Sequence, residues 1–308
     1  MEGDKELLLI TAASGKQSSH LIPHILKRWK HIRLQVASSS SKDRLQKLYA
    51  EHENVEVVQA DMASQADCHR IMAGVTTCFL ITPGFHANET SCGINIIDAA
   101  VAQTPGRQPK HLLYSSVLHP HLRKLLNHDA KRYVEEHLIE SGLPYTIVQP
   151  TTMMENLPLP KLLQQDVPTY TALWSPETKF SFVSCRDIGE ACANILFSPA
   201  RHVFATYQLV STSAPLSYRE ALQIVSAHVG REVRVEQKPI EEGVKAFNRM
   251  RMHGEPGEVA FNSSQGPARM FMYYNEKGLV GNPNMLGWLL GRKPLEYEDW
   301  VRFCVEGR

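Results

Sequence analysis

The sequence predicts an α/β fold built on a parallel, doubly wound sheet, and three observations carry that prediction. Short apolar runs recur along the first half of the chain, each of strand length and too short for a buried helix. Stretches with helical spacing stand between them, so strand and helix alternate at the interval that right-handed crossovers require. With 308 residues, 43% of them hydrophobic, there is ample material for a buried core.

The first strand is Leu7-Leu8-Leu9-Ile10, followed by the small-residue turn Thr11-Ala12-Ala13-Ser14-Gly15-Lys16-Gln17-Ser18 and a helix starting near Gln17. Placed on the dinucleotide pattern G-x-x-G-x-x-G, the three positions hold Ala12, Gly15 and Ser18, so one glycine remains. Glycine serves there to turn the chain, to let backbone approach a pyrophosphate and to let the helix pack closely. Small Ala and Ser leave room for the same tasks, and the helix start offers N–H groups to a phosphate. The turn reads equally as an ordinary β-α connection.

The second strand, Ile32–Ala37, ends in Ser38-Ser39-Ser40-Ser41-Lys42-Asp43-Arg44. At this strand tip an acid would favour NAD, whereas Lys42 and Arg44, with Ser38, suit the 2′-phosphate of NADP. The bland reading is a solvated helix start with Ser41 as N-cap. The third strand, Val55–Met62, carries Asp61 and Met62 at its carboxyl end, where Asp61 either nears an adenine or caps the helix from Ser64. The fourth, Val75–Ile81, leads into Thr82-Pro83-Gly84-Phe85-His86, a loop expected to pass the cofactor and to turn Phe85 and His86 toward a substrate. A helix over Glu89–Val101 and a fifth strand, His111–Val117, follow.

The next helix, Leu125–Ser141, stops at Gly142 and places His128 and Lys131 on neighbouring turns of one side. The sixth strand, Tyr145–Pro150, runs into Thr151–Asn156 and a proline-rich stretch with Pro158, Pro160 and Pro168. One return to the sheet is expected from Phe180–Ser184, the helix to Phe197 and the strand Tyr207–Val210. Helices around Tyr218–Val229, Ile240–Met252 and Ala268–Lys277 and a strand near Val233–Gln237 complete the chain. The expected division is a core of residues 1–155, rejoined at about 180–212, and a substrate-binding part of residues 156–179 and 213–308.

Several of these stretches together resemble the NmrA-like group of atypical short-chain dehydrogenases/reductases, its fungal members in particular. They are the turn Thr11–Gln17, Tyr114-Ser115-Ser116-Val117, His128-x-x-Lys131 with Glu135-Glu136, Glu140–Ile147, Val183–Ala191 and Leu289-Leu290-Gly291-Arg292. The resemblance implies a Rossmann sheet with a smaller, mostly helical C-terminal part, and NADP(H) as cofactor. Ordinary members of the wider class use Tyr-x-x-x-Lys, and here the Tyr position holds Asn127, which does no acid-base work at neutral pH. Lys131 carries over, to hold the nicotinamide ribose and to give a proton if burial lowers its pKa. His128 is the alternative proton source, and Ser116 a candidate partner for a substrate carbonyl. Around the cofactor the residues implied are Thr11, Ala12, Ser14, Gly15, Lys16, Gln17, Ser38, Lys42, Arg44, Asp61, Met62, Thr82, Pro83, Lys131 and Pro150. Met153, Met154, Trp174 and Phe180 supply the apolar lining that a bulky substrate needs, though each is also core-like.

A net charge of +1 gives no basic surface for nucleic acid or an anionic membrane. Cys68, Cys78, Cys92, Cys185, Cys192 and Cys304 include no C-x-x-C pair and read as free thiols in a reducing compartment. Met1–Lys5 runs straight into the first strand without a signal pattern, and no apolar run nears ~20 residues, so a cytoplasmic protein is expected. His119-Pro120-His121 lacks helical ligand spacing and a partner set, so no metal is expected. The leading functional expectation is an NADPH-dependent reductase of a C=O, C=N or C=C in a small apolar molecule, as in fungal secondary metabolism. The alternatives are a cyclase or isomerase using the same pocket, and a non-catalytic NADP-sensing regulator with a protein partner; a homo-oligomer is compatible with each.

Overall fold

In the computed structural model, which describes residues 6–251 and 261–307 (without the side chains of 249–251 and 261–264), Leu7–Ile10 forms the central strand β1. Its side chains alternate as a pleated strand requires: Leu8 and Ile10 enter the core on one sheet face and Leu9 the core on the other. All three are fully buried, so truncating any of them to alanine costs about 2–5 kcal/mol. The helix α1 (Lys16–Ile25) follows, then β2 (His31–Val36), α2 (Ser39–Leu48), β3 (Val55–Gln59), α3 (Gln65–Met72) and β4 (Thr77–Ile81). After these come α4 (Glu89–Val101), β5 (His111–Ser115), α5 (Leu126–Glu140) and β6 (Tyr145–Pro150).

The C-terminal half adds β7 (Thr152–Met153), a 3₁₀ turn at Met154–Asn156, α6 (Leu159–Leu162), β8 (Thr169–Ala172), β9 (Phe182–Val183), α7 (Cys185–Phe197) and β10 (Ala205–Leu209). It closes with α8 (Tyr218–Val229), β11 (Arg234–Gln237), α9 (Ile240–Arg251), α10 (Phe261–Lys277), α11 (Asn284–Leu290) and α12 (Tyr297–Glu306). The expected end of the second C-terminal helix at Met252 lies outside the described residues.

Seven strands make the main sheet in the order β10-β6-β5-β4-β1-β2-β3, every neighbouring pair parallel. Strand order reverses between β1 and β4, which is where open sheets of this kind open a crevice at their carboxyl ends. Residues of α1, α2, α7 and α11 cover one face, and residues of α3, α4 and α5 the other. The helix α1 lies tight on α7: a Cβ on Gly189 would stand 2.5 Å from the His20 carbonyl oxygen.

Two expectations need correction. The return of the chain joins the sheet through β10, but Phe182–Val183 pairs with Thr152–Met153 in a separate two-stranded ribbon. And α2 starts at Ser39, with the Ser38 hydroxyl accepting from the Ser41 N–H, so Ser38 and not Ser41 is the N-cap.

The C-terminal helices enclose a core of their own, rich in aromatic rings: Trp174 packs against Phe180, Phe271 and Tyr274 with centroids 5.5, 5.6 and 5.3 Å away. Buried Asp187 on α7 ties this part to the sheet by accepting from Ser211 Oγ (2.6 Å), Leu295 N (2.8 Å) and Arg292 (2.8 Å). Among the described residues no helix is long and apolar enough to cross a membrane, and no group of three or more His, Cys, Asp or Glu is placed to hold a metal.

Candidate functional site

The turn after β1 is held by its neighbours in an unusual shape. Ala12 has φ +46°, the left-handed region where a side chain is strained and glycine is at ease. Gln35 of β2, buried, fixes it there: its Oε1 accepts from Ala12 N (2.8 Å), its carbonyl from Ala13 N (2.9 Å), and its Nε2 donates to Ala60 O (2.7 Å). The Ala12 carbonyl accepts from Gly15 N at 2.9 Å and from Ser18 Oγ at 3.2 Å. Ser18 thus takes the third fingerprint position and ties the helix back to the turn. The helix α1 begins with no side-chain cap and no acid in its first turn, which leaves its positive end to be met by something else.

Around this turn the other candidates divide. Arg44 Nη2 comes to 3.5 Å from the Ser14 carbonyl, bringing α2 beside the turn with Lys42 half-buried two residues earlier. Lys16 reaches across to the Glu155 carbonyl (2.8 Å) and Asn156 Oδ1 (3.0 Å), while the Glu155 carboxylate accepts from Cys185 N at the start of α7 (3.0 Å). Gln17 Oε1 accepts from Ser115 Oγ at 2.7 Å, and Pro150 ends β6 in full burial nearby in the sheet order. The Thr11 hydroxyl donates to Ile81 O (2.8 Å) and accepts from Ile81 N (2.7 Å), clasping β1 to β4. Asp61 is exposed and accepts from Ala63 N at 2.9 Å, while Ser64 is the cap of α3. The Met62 side chain lies in the core, so only its backbone remains for a ligand.

On the far side of the switch point, Lys131 is engaged. Its ammonium pairs with the Glu89 carboxylate and donates to Thr82 Oγ1 at 2.9 Å. Glu89, 3% exposed, also accepts from Thr82 Oγ1 (3.1 Å) and from Phe85 N (2.8 Å). It thereby folds the loop 82–89, in which Phe85 has φ +62° and turns its ring edge-on to Phe247, 5.1 Å away. His86 is exposed and its Nδ1 accepts from Asn88 N; Pro83 is half-buried.

His128 is corrected as a proton source. It is fully buried, Nδ1 facing the His119 carbonyl (3.1 Å) and Nε2 facing the Tyr274 hydroxyl (3.1 Å). A carbonyl only accepts, so Nδ1 carries the proton and Nε2 accepts from Tyr274. Burial pulls its pKa down to about 4, opposed by the bond to His119. The imidazole is a neutral clamp between α5 and α10. Ser116 is buried just after β5, its hydroxyl without a hydrogen-bond partner among the described residues, beside Glu135, whose carboxyl burial pushes upward and Gln149 holds with two bonds at 3.0 and 3.2 Å.

The apolar lining is also corrected. Met154, Trp174 and Phe180 lie in the C-terminal core, Trp174 8% and the others at most 1% exposed, and half-buried Met153 packs on the sheet core. Between the loop and α5 lies only a small recess of about 10 Å³, lined by Phe85, His86, Glu89, Thr90, Leu126 and Asn127, with room for about one water. A larger cavity, bordered by Leu7, His31, Ile32 and Gly74, sits at the amino ends of the strands, the wrong end for a ligand of such a sheet.

Sequence reasoning missed Gln35, Glu89 and Glu155. Gln35 shows only as a polar residue in an alternating strand, Glu89 as a favourable charge in the first turn of a helix, and Glu155 as part of a connecting loop.

A match to the NmrA-like family runs over residues 4–298. The chain belongs to the NmrA-like family. Among curated relatives it is 26% identical over 249 residues to the nitrogen metabolite repression protein nmr of Neurospora crassa, covering 75% of this chain and 49% of that protein, so that it spans about half that relative's length. It is 24% identical over 244 residues to the prestalk A differentiation protein A of Dictyostelium discoideum, covering 77% of this chain and 74% of that one. Among solved structures, the Citrobacter triphenylmethane reductase superposes with a TM-score of 0.75 at 19% identity (97% and 99% of the two chains). The Escherichia coli NADPH-dependent quinone oxidoreductase complexed with NADPH gives 0.72 at 21% identity (96% and 99%). NmrA, a negative transcriptional regulator, gives 0.73 at 19% identity (98% and 97%). These superpositions agree with the Rossmann-like sheet and helical C-terminal region described above.

Proposed function

We propose that this NmrA-like protein binds NADP(H) at the turn after β1 and reduces a small apolar acceptor that requires no general acid from the protein. The observation that carries this reading is the turn itself: a left-handed Ala12 braced by Gln35, followed by a helix start with neither cap nor acid. The residues fit a dinucleotide at its phosphate end, with Ser14, Gly15, Lys16 and Gln17 at the helix start, and Lys42 and Arg44 beside it suit a 2′-phosphate. Thr82, Pro83 and Lys131 would hold the nicotinamide end, and residues 156–179 and 213–308 would cover the substrate.

Bound there, the cofactor supplies a hydride. The chain's own residues orient and shield. Glu89 and Thr82 fix the Lys131 ammonium in place. No proton donor is ready: Asn127 stands where a tyrosine would, and His128 is sealed and neutral. Acceptors that hold the incoming electron pair themselves therefore suit the site. A carbocation or iminium becomes neutral on taking hydride, and a quinone becomes a hydroquinone anion that solvent protonates. Two reductases of similar fold act, by their names, on triphenylmethane dyes and quinones.

The same closed ion pair also favours a second reading, a dinucleotide-binding regulator, since Lys131 is satisfied without any ligand. The deciding experiment follows NADPH absorbance with a panel of quinones, triphenylmethane cations, iminium ions and simple ketones. Consumption with quinones or cations and not with ketones supports the reductase. NADPH binding with no consumption by any acceptor supports the regulator, and ligand conversion without consumption would indicate a redox-neutral cyclase.

A further inference from the structure

Lys16 is the first residue of α1, and its charge is the wrong one for that place. A helix start carries positive partial charge and free N–H groups, so an anion is favoured there and a cation disfavoured. The neighbouring helix shows the ordinary solution. At the start of α7 the Glu155 carboxylate accepts from Cys185 N at 3.0 Å and from Ser184 Oγ at 3.3 Å. The two helices lie against each other, Gly189 of α7 packing on the His20 carbonyl of α1. Glu155 therefore meets both starts: its carboxylate serves α7, and its backbone carbonyl accepts from Lys16 Nζ at 2.8 Å.

The second acceptor of Lys16 is Asn156 Oδ1, at 3.0 Å. Both acceptors are uncharged oxygens, and an ammonium bonds a phosphate oxygen more strongly than either. They belong to the 3₁₀ turn Met154–Asn156, where the chain passes from the sheet into the C-terminal part. Met154 and Leu157, on either side of them, are buried in the C-terminal aromatic core. One exposed lysine thus ties the turn after β1 to the entrance of the C-terminal part.

We propose that Lys16 is a latch with two mutually exclusive holds: the 154–157 turn, through Glu155 O and Asn156 Oδ1, or a phosphate oxygen at the α1 start. Occupancy of the phosphate end then loosens the strap that leads to the substrate-covering residues 156–179. Because strap and phosphate compete for one ammonium, weakening the first hold tightens the second, and strengthening it does the reverse. The inference rests on the proposed NADP(H) site.

The test titrates the full chain with NADPH by calorimetry. Asn156 is exposed, so its variants keep the fold. Asn156→Ala is expected to bind NADPH about threefold more tightly than the wild type. Asn156→Asp, whose carboxylate pairs with Lys16, is expected to bind about fivefold more weakly, both effects being of the size of one exposed polar contact. In a Lys16→Met background most of both effects disappears. Hydrogen exchange gives a readout that does not depend on affinity. Saturating NADPH speeds exchange of the amides of residues 155–159 in the wild type, whereas in Lys16→Met they exchange at the fast rate with or without it. A turn that merely supports Lys16 gives the opposite sign, weaker binding by Asn156→Ala, and that result overturns the latch. So does a loss in Asn156→Asp that persists undiminished beside Lys16→Met, or exchange at 155–159 that bound NADPH leaves unchanged. A wild type that does not bind NADPH overturns the dinucleotide site and the latch with it, whereas binding with the wrong sign in Asn156→Ala overturns the latch alone.

Discussion

At the turn after β1 the backbone presents itself and side chains only brace it, whereas around Lys131 the side chains are bonded to one another. Gln35, Ser18 and the left-handed Ala12 shape the turn while α1 starts uncapped. Lys131, Glu89, Thr82 and the Phe85 N–H form a closed set. The difference teaches that the turn leaves backbone N–H groups of the α1 start without an intrachain cap, whereas the Lys131 set is satisfied within the chain. It also warns that removing Lys131 disturbs the fold as well as any chemistry.

That contrast breaks most sharply at the ion pair. Lys131→Met leaves the Glu89 carboxylate buried and unpaired, and is expected to destabilise the protein by about 3–5 kcal/mol. Adding Glu89→Gln recovers most of the loss, which urea unfolding of the single and double variants will read. If the single variant is as stable as the wild type, Glu89 does not depend on Lys131 and the closed set is not a unit.

The histidine clamp gives the next effect. His128 is buried with its pKa at about 4, so between pH ~6.5 and ~4 the unfolded chain binds a proton that the folded chain refuses. Its contribution is complete above pH ~6.5 and is lost as pH falls toward 4, an order-of-magnitude effect of ~3 kcal/mol. His111, also fully buried and lowered to about 4, adds to the same slope. Denaturant unfolding between pH 7 and pH 4 measures it, and His128→Gln should flatten the slope in part. An unchanged slope contradicts the neutral, sealed imidazole.

At the phosphate end the effects are smaller. Lys42→Ala with Arg44→Ala should narrow the preference for NADPH over NADH by roughly tenfold, since solvent-screened charges on a 2′-phosphate are each worth about 1 kcal/mol or less. Ala12→Gly relieves the left-handed strain, about 1 kcal/mol, and returns part of it as unfolded-state entropy. A rise of about 2 °C in unfolding temperature, with cofactor affinity maintained, is the expected result. A fall would mean that the alanine methyl makes contacts that outweigh the strain.

The fold was largely legible in the sequence because strand and helix periods are local. Glu89–Val101 and Tyr145–Pro150 emerge at the ends read for them, and other strands were read long where neighbouring residues such as Ala37, Asp61 and Val117 continue the pattern beyond the ladder. The ribbon at Phe182–Val183 was not legible, since two residues pairing with Thr152–Met153 leave no periodic trace. The site was legible by halves. Ala12, Gly15 and Arg44 announce a turn and a basic edge through residue type alone. Glu89 and Lys131 stand 42 positions apart, and only the packing of α4 on α5 brings them together. His128 misleads for the same reason: nothing near it in the chain shows that Tyr274 will cover it.

Dinucleotide binding at the turn after β1 is the central claim to test. The direct measurement is a calorimetric titration of the purified protein, freed of bound nucleotide, with NADPH and then NADH. The structure predicts saturable binding of one dinucleotide per chain, tighter for NADPH, and weakened toward NADH-like affinity in the Lys42→Ala, Arg44→Ala variant. Absence of binding by either nucleotide would contradict it, and would make the braced left-handed turn a feature of the fold alone.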